Sequence, residues 1–118
     1  MIDRRTRLWL LDMRDHARQA INFLAEYEAD ALLAEPMRLF AINRAVEIVG
    51  EAANRVDSAT QQSMPTLPWR PAIDMRNKLI HGYDRVDVHI LVDTVRRDFP
   101  PLIAEIERLL TADPQDTP

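Results

Sequence analysis

The sequence predicts an all-α fold, an up-and-down bundle of four to five helices. Three observations lead there. The chain holds only two glycines, it shows no alternating apolar and polar run long enough for a strand, and its apolar residues recur at steps of three and four. At 118 residues it has room for one core and not for two ordinary ones. The reading is a single domain over residues 1–110 and a frayed tail over 111–118.

The first helix is expected over about residues 4–28, where Leu10, Met13, Ala17, Ala20, Leu24 and Tyr27 form one seam. His16 lies beside that seam as a boundary residue. Asp30 to Glu35 make a connection, and Pro36 opens a second long helix to about Val56 from a first-turn position. Phe40, Ile42, Ala45, Val46, Ile48, Val49, Ala52, Ala53 and Val56 leave only a narrow polar stripe of Asn43, Glu47, Gly50, Glu51 and Asn54. That pattern predicts a central helix with neighbours on more than one side. Gly50 costs about 1 kcal/mol of helix propensity against alanine, which points to a close helix crossing.

Residues 57–68, polar and carrying Pro65 and Pro68, read as a loop with one helical turn. A third long helix follows from Trp69, and Gly82 is suited to the left-handed residue that closes it. Asp87 is the expected N-cap of a fourth, running to about Asp98 with Val88, Leu91, Val92 and Val95 inward. Pro100 and Pro101 are expected to break or kink the chain there. A last helix carries Leu102, Ile103, Ile106, Leu109 and Leu110 inward.

The third helix holds an anomaly. With Ile73 at zero on a helical wheel, Trp69, Ala72, Met75, Leu79 and Ile80 fill an apolar sector, and Arg76 falls inside it at roughly 300°. A guanidinium there must meet a carboxylate or border a wet cleft. Glu47 and Glu51 are candidate partners. Pairing of those carboxylates with Arg44 and Arg55 is an equal alternative. His81 falls at the helix end, where the dipole favours its protonated form.

Composition excludes several functions. No apolar run approaches the ~20 residues that span a bilayer, and the N-terminus lacks a signal-peptide core, so a cytoplasmic protein without membrane contact is expected. The absence of cysteine rules out disulfides and thiolate metal sites, and His16, His81 and His89 lack metal-ligand spacing. Neither a metal nor a cofactor is expected. The net charge of −4 argues against a uniformly basic nucleic-acid coat. It leaves room for a local one, since Arg70, Arg76, Lys78 and Arg85 outnumber the acids over residues 69–86 while the acidity gathers towards the C-terminus.

Arginine, histidine and tyrosine together suit metal-free chemistry on a phosphodiester. Histidine moves a proton near neutrality, arginine clamps phosphate oxygens, and a phenol positions. Spacing alone leaves helix capping as the simpler explanation. Arg76-Asn77 followed by His81-Gly82-Tyr83 resembles, however, the Arg-x4-His-x-Tyr signature of HEPN-domain toxins of the HepT type. Val46 to Ala53 is similar to that family's second helix, Pro68-Trp69-Arg70 to its approach to the motif helix, and Val86 to Pro100 to its following helix. Residues 5–110 are covered in all. Its departures, the double proline at 100–101 and a short loop at 57–66, lie outside the motif.

The resemblance implies a dimerising helical bundle with two copies of the motif across a shared cleft. It also implies a metal-independent endoribonuclease acting as the toxin of a type VII toxin-antitoxin pair. Arg76 and His81 become the catalytic pair, with Asn77 assisting. Tyr83 becomes the residue to which an MntA-type minimal nucleotidyltransferase antitoxin adds AMP, silencing the toxin. The implied substrate is RNA, with tRNA and mRNA as candidates and no DNA. Lys78 and Arg70 are supporting RNA contacts, and Glu47 or Glu51 a holder of Arg76. The rival readings are a non-catalytic module that binds nucleotide or presents a substrate to a nucleotidyltransferase, and a purely structural dimerisation subunit.

Overall fold

The computed structural model describes residues 2–81 and 87–114, without the side chains of Asn77, Leu79, Ile80 and His81. The expected left-handed closure at Gly82 lies outside these residues. The elements are α1 (Arg4–Leu24), α2 (Ala29–Leu32), α3 (Pro36–Arg55), α4 (Ser58–Ser63), α5 (Trp69–His81), α6 (Val88–Asp93), a π-helical segment (Thr94–Asp98) and α7 (Phe99–Ala112). No strand occurs among the described residues. No described helix is long and apolar enough to cross a membrane.

Helix α1 begins where Asp3 accepts the Thr6 N–H at 2.7 Å, and it buries Leu10, Met13, Ala17, Ala20 and Leu24 as their spacing predicts. It stops at Ala25, one turn short of the expected end, with φ 49°. The short α2 then turns Ala29 and Leu32 into the core. Arg96 covers the carbonyls that this early stop leaves over, donating to Tyr27 O at 2.6 Å and Ala25 O at 3.4 Å.

Helix α3 starts with Pro36 in its first turn and is central: its main partners are α1 and α5. Val49 and Ile42 are fully buried, each such side chain contributing about 1.5–3 kcal/mol. Phe40 does not follow the expectation of an inward residue. It is 75% exposed and Met37 87%, on a side covered by neither α1 nor α5.

Within the loop after α3, Asp57 caps the predicted single turn, α4, by accepting the Thr60 N–H at 2.8 Å. That bond lowers the Asp57 pKa. Asp87 caps α6 as expected, accepting from His89 N and Ile90 N.

The double proline does not break the chain. Pro100 and Pro101 occupy the first turn of α7, and the strain appears upstream as the π-helical segment. Neither proline can donate, so the carbonyls of Arg96 and Arg97 lose their α-helical partners. The Phe99 N–H instead reaches Thr94 O, five residues back. Order also extends past residue 110. Helix α7 continues to Ala112, and Asp113 is buried with its carboxylate 3.3 Å from Arg7.

Candidate functional site

Helix α5 rests on α3 through a contact that only glycine permits. A Cβ on Gly50 would lie 2.4 Å from Arg76 Cβ and 2.8 Å from Ala72 O. The backbones therefore approach closely, as the isolated glycine on α3 suggested. The entrance to α5 is fixed by Trp69, which is buried and donates its indole N–H to Met64 O at 3.0 Å.

Arg76 is thus placed at the helix crossing, with its stem over Gly50 and its Nε buried. The charged arginine inside the apolar sector is explained, because the stem packs like an aliphatic side chain while the head remains polar. Of the two pairings open for the acidic residues, the one with Arg44 is present: its Nη1 lies 3.3 Å from Glu47 and 3.2 Å from Glu51. Asn43 also donates to Glu47 at 3.1 Å. Arg55 instead stacks over Trp9, 5.4 Å from the ring centroid.

Asn77 and His81 follow on the backbone of the same helix, His81 as its last residue. Their side chains, and the whole of Tyr83, lie outside the described residues. Arg76 and His81 are five positions apart, about 7.5 Å along the axis. Lys78 is exposed. Arg70 is exposed too, 4.0 Å from Asp74 in a solvated pair that carries little energy.

Two features were missed by the sequence reading. A groove of about 700 Å³ separates α5 from the π-helical segment and the start of α7, with Lys78 on one wall and Arg97 and Asp98 on the other. No local pattern announced it, since its walls meet only in the tertiary fold. The second is the exposed ridge of Leu33, Met37 and Phe40. A signal for that existed: Met37, Phe40, Arg44, Glu47 and Glu51 recur at steps of three and four, so Phe40 shares its face with charged residues.

The model of the HepT-like ribonucleases matches residues 13–109 of this chain. The chain belongs to the HepT-like ribonuclease family. Among relatives of this HepT-like chain, the protein named probable ribonuclease HepT of Thermococcus cleftensis is 35% identical, over 83% of the chain and 93% of the relative. A provisionally named RNase of Methanocaldococcus jannaschii is 30% identical, over 91% of the chain and 98% of the relative. No solved structure gives a significant match. Residues 76–81 of this HepT-like chain fall inside the matched span.

Proposed function

We propose that this chain is a metal-independent endoribonuclease and the toxin of a type VII toxin-antitoxin pair. The observation that carries the reading is the seating of Arg76 on Gly50 within a chain of the HepT-like ribonuclease family. A guanidinium whose stem is fixed by a helix crossing is held ready for phosphate, and little side-chain entropy remains to be lost on binding.

In the proposed reaction the 2′-hydroxyl of RNA attacks the adjacent phosphorus and the bond to the 5′-oxygen breaks. A 2′,3′-cyclic phosphate and a 5′-hydroxyl result, and the proton lost by the 2′-oxygen is balanced by one gained by the leaving oxygen. His81 serves that proton traffic, Arg76 stabilises charge on the phosphoryl oxygens, and Asn77 assists in positioning. Lys78 and Arg70 contribute to RNA affinity. The overall negative charge is met by concentrating cations at the cleft.

The active form is a homodimer with two motifs sharing one cleft. The exposed Leu33, Met37 and Phe40 support association, because a ridge of this kind on a monomer marks an interaction surface. An MntA-type nucleotidyltransferase antitoxin silences the enzyme by adding AMP to Tyr83, a bulky anion two positions from His81 that repels RNA phosphate.

The test is cleavage of RNA by the purified chain, with identification of the cyclic phosphate end. His81→Ala is expected to lower the rate about 10²–10⁴-fold and Arg76→Ala about 10²–10³-fold. RNA left intact by the wild-type chain, and bound equally by both variants, overturns the nuclease in favour of a non-catalytic binding module. Intact mass after co-expression with the neighbouring nucleotidyltransferase checks Tyr83, where added mass in units of AMP is expected.

A further inference from the structure

The groove between α5 and the π-helical segment is built for more than solvent. Its volume of about 700 Å³ lies in the range of small-molecule sites. Pro68, Pro71, Met75 and Pro101 give it apolar walls. Five charged residues line it, and they divide into two groups. Asp74 lies by Arg70, and Glu105 is held by Arg108 and Thr66. The side chains of Lys78, Arg97 and Asp98 make no hydrogen bond or ion pair among the described residues. The unengaged set is therefore two cations and one carboxylate, although the lining as a whole has more acids than bases.

That set matches one ligand chemistry. Two cations suit a phosphate, flat apolar walls suit an aromatic ring, and one free carboxylate accepts hydrogen bonds from ring or exocyclic N–H groups. Lys78 ties the groove to the motif, because it stands on α5 three positions before His81, on the side of the helix away from the Arg76 seat on Gly50. We propose that this groove is a nucleotide subsite that receives one base of the RNA beside the scissile phosphate. Lys78 and Arg97 hold that nucleotide's phosphate. Asp98 favours bases presenting an amino group, guanine above all, whose ring N–H and amino group meet a carboxylate together. Uracil, which presents two carbonyl oxygens and a single N–H, is disfavoured. The inference rests on the ribonuclease reading for the identity of its ligand as RNA.

The probes are the four nucleoside 5′-monophosphates, titrated by calorimetry into the full-length wild-type chain. RNA cleavage is measured separately. GMP is expected to bind at least about tenfold more tightly than UMP, in line with the discrimination a good bidentate contact provides. Asp98→Asn, which offers a donor as well as an acceptor, is expected to shrink that ratio below about threefold. It should also shift the bases flanking the cut sites in a mixed-sequence RNA. Lys78→Glu and Arg97→Glu are expected to weaken all four nucleotides alike, by about tenfold or more. Asp98, Arg97 and Lys78 are exposed, so these variants should fold, and unchanged circular dichroism checks that they do.

A chain that cleaves RNA but binds no mononucleotide, or binds all four alike with Asp98→Asn silent, overturns the subsite and leaves the nuclease standing. A chain that cleaves nothing overturns the ribonuclease reading, and the RNA subsite with it. Mononucleotide binding that persists in such a chain reassigns the groove to free nucleotide.

Discussion

The two sides of α3 differ in what holds them. Towards α1 the contact is mostly apolar, with Leu10, Met13, Ala17, Ile42 and Val49 in one buried cluster and Arg55 stacked over Trp9. Towards α5 the contact narrows to Gly50, over which lie the backbone of Ala72 and the stem of an arginine. One side spends its residues on burial, and the other gives up a side chain to place a charge. Core burial and the seating of Arg76 thus draw on different sides of the same helix, which makes them separable by mutation.

The largest stability loss is expected on the apolar side. Leu10 is fully buried, and Leu10→Ala should cost about 2–5 kcal/mol in denaturant unfolding. Cleavage per folded molecule should be unchanged, and a loss as large as that of Arg76→Ala would erase the distinction between the faces. Gly50→Ala comes next. Alanine in a helix normally gains about 1 kcal/mol over glycine, but here its methyl group meets backbone, and a loss of about 1–3 kcal/mol is expected. Cleavage should fall with it, because Arg76 is displaced. Phe40→Glu should change unfolding of the monomer by no more than about 0.5 kcal/mol. It should nevertheless weaken self-association in sedimentation, if the exposed ridge joins the two copies.

The smallest effect concerns Glu105. Hydrogen bonds from Arg108 and then Thr66 lower its pKa from 4.5 to about 2. A carboxylate with a depressed folded pKa contributes stability above its unfolded pKa and loses it as pH falls through the folded value. Glu105→Gln should therefore remove a small part of the decline between about pH 4.5 and about pH 2, read from denaturation midpoints.

Much of this was legible from residue spacing. The α1 seam, Pro36 in the first turn of α3, the Asp87 cap and the crossing at Gly50 each follow from local chemistry that the tertiary structure does not override. Phe40 was misread because its hydrophobicity outweighed its position, although Arg44, Glu47 and Glu51 mark the same face. The partner of Glu47 and Glu51 was undecidable from sequence, since Arg44 and Arg76 both come within helical or tertiary reach. The prolines at 100 and 101 forbid specific hydrogen bonds, which is certain, but the relief they find upstream depends on what else packs there. Tyr83 and the side chain of His81 remain expectations of the motif. The groove joins residues from the loop before α5 with others well beyond it, and no pattern in one dimension carries such a meeting.

The π-helical segment has a consequence for the numbering of the chain itself. A π turn holds one residue more than an α turn, so Thr94–Asp98 acts as an insertion absorbed without a loop. Removing one residue there would rotate Leu102, Ile106 and Leu110 by about 100° relative to Leu91 and Val92, while Pro100 and Pro101 would still lack the N–H groups an unbroken α-helix needs. Both apolar faces could then no longer point at the same core. The extra residue is what lets one continuous rod serve two angular registers, and it sets Arg97 and Asp98 towards the groove instead of along the stripe that a regular helix would give them.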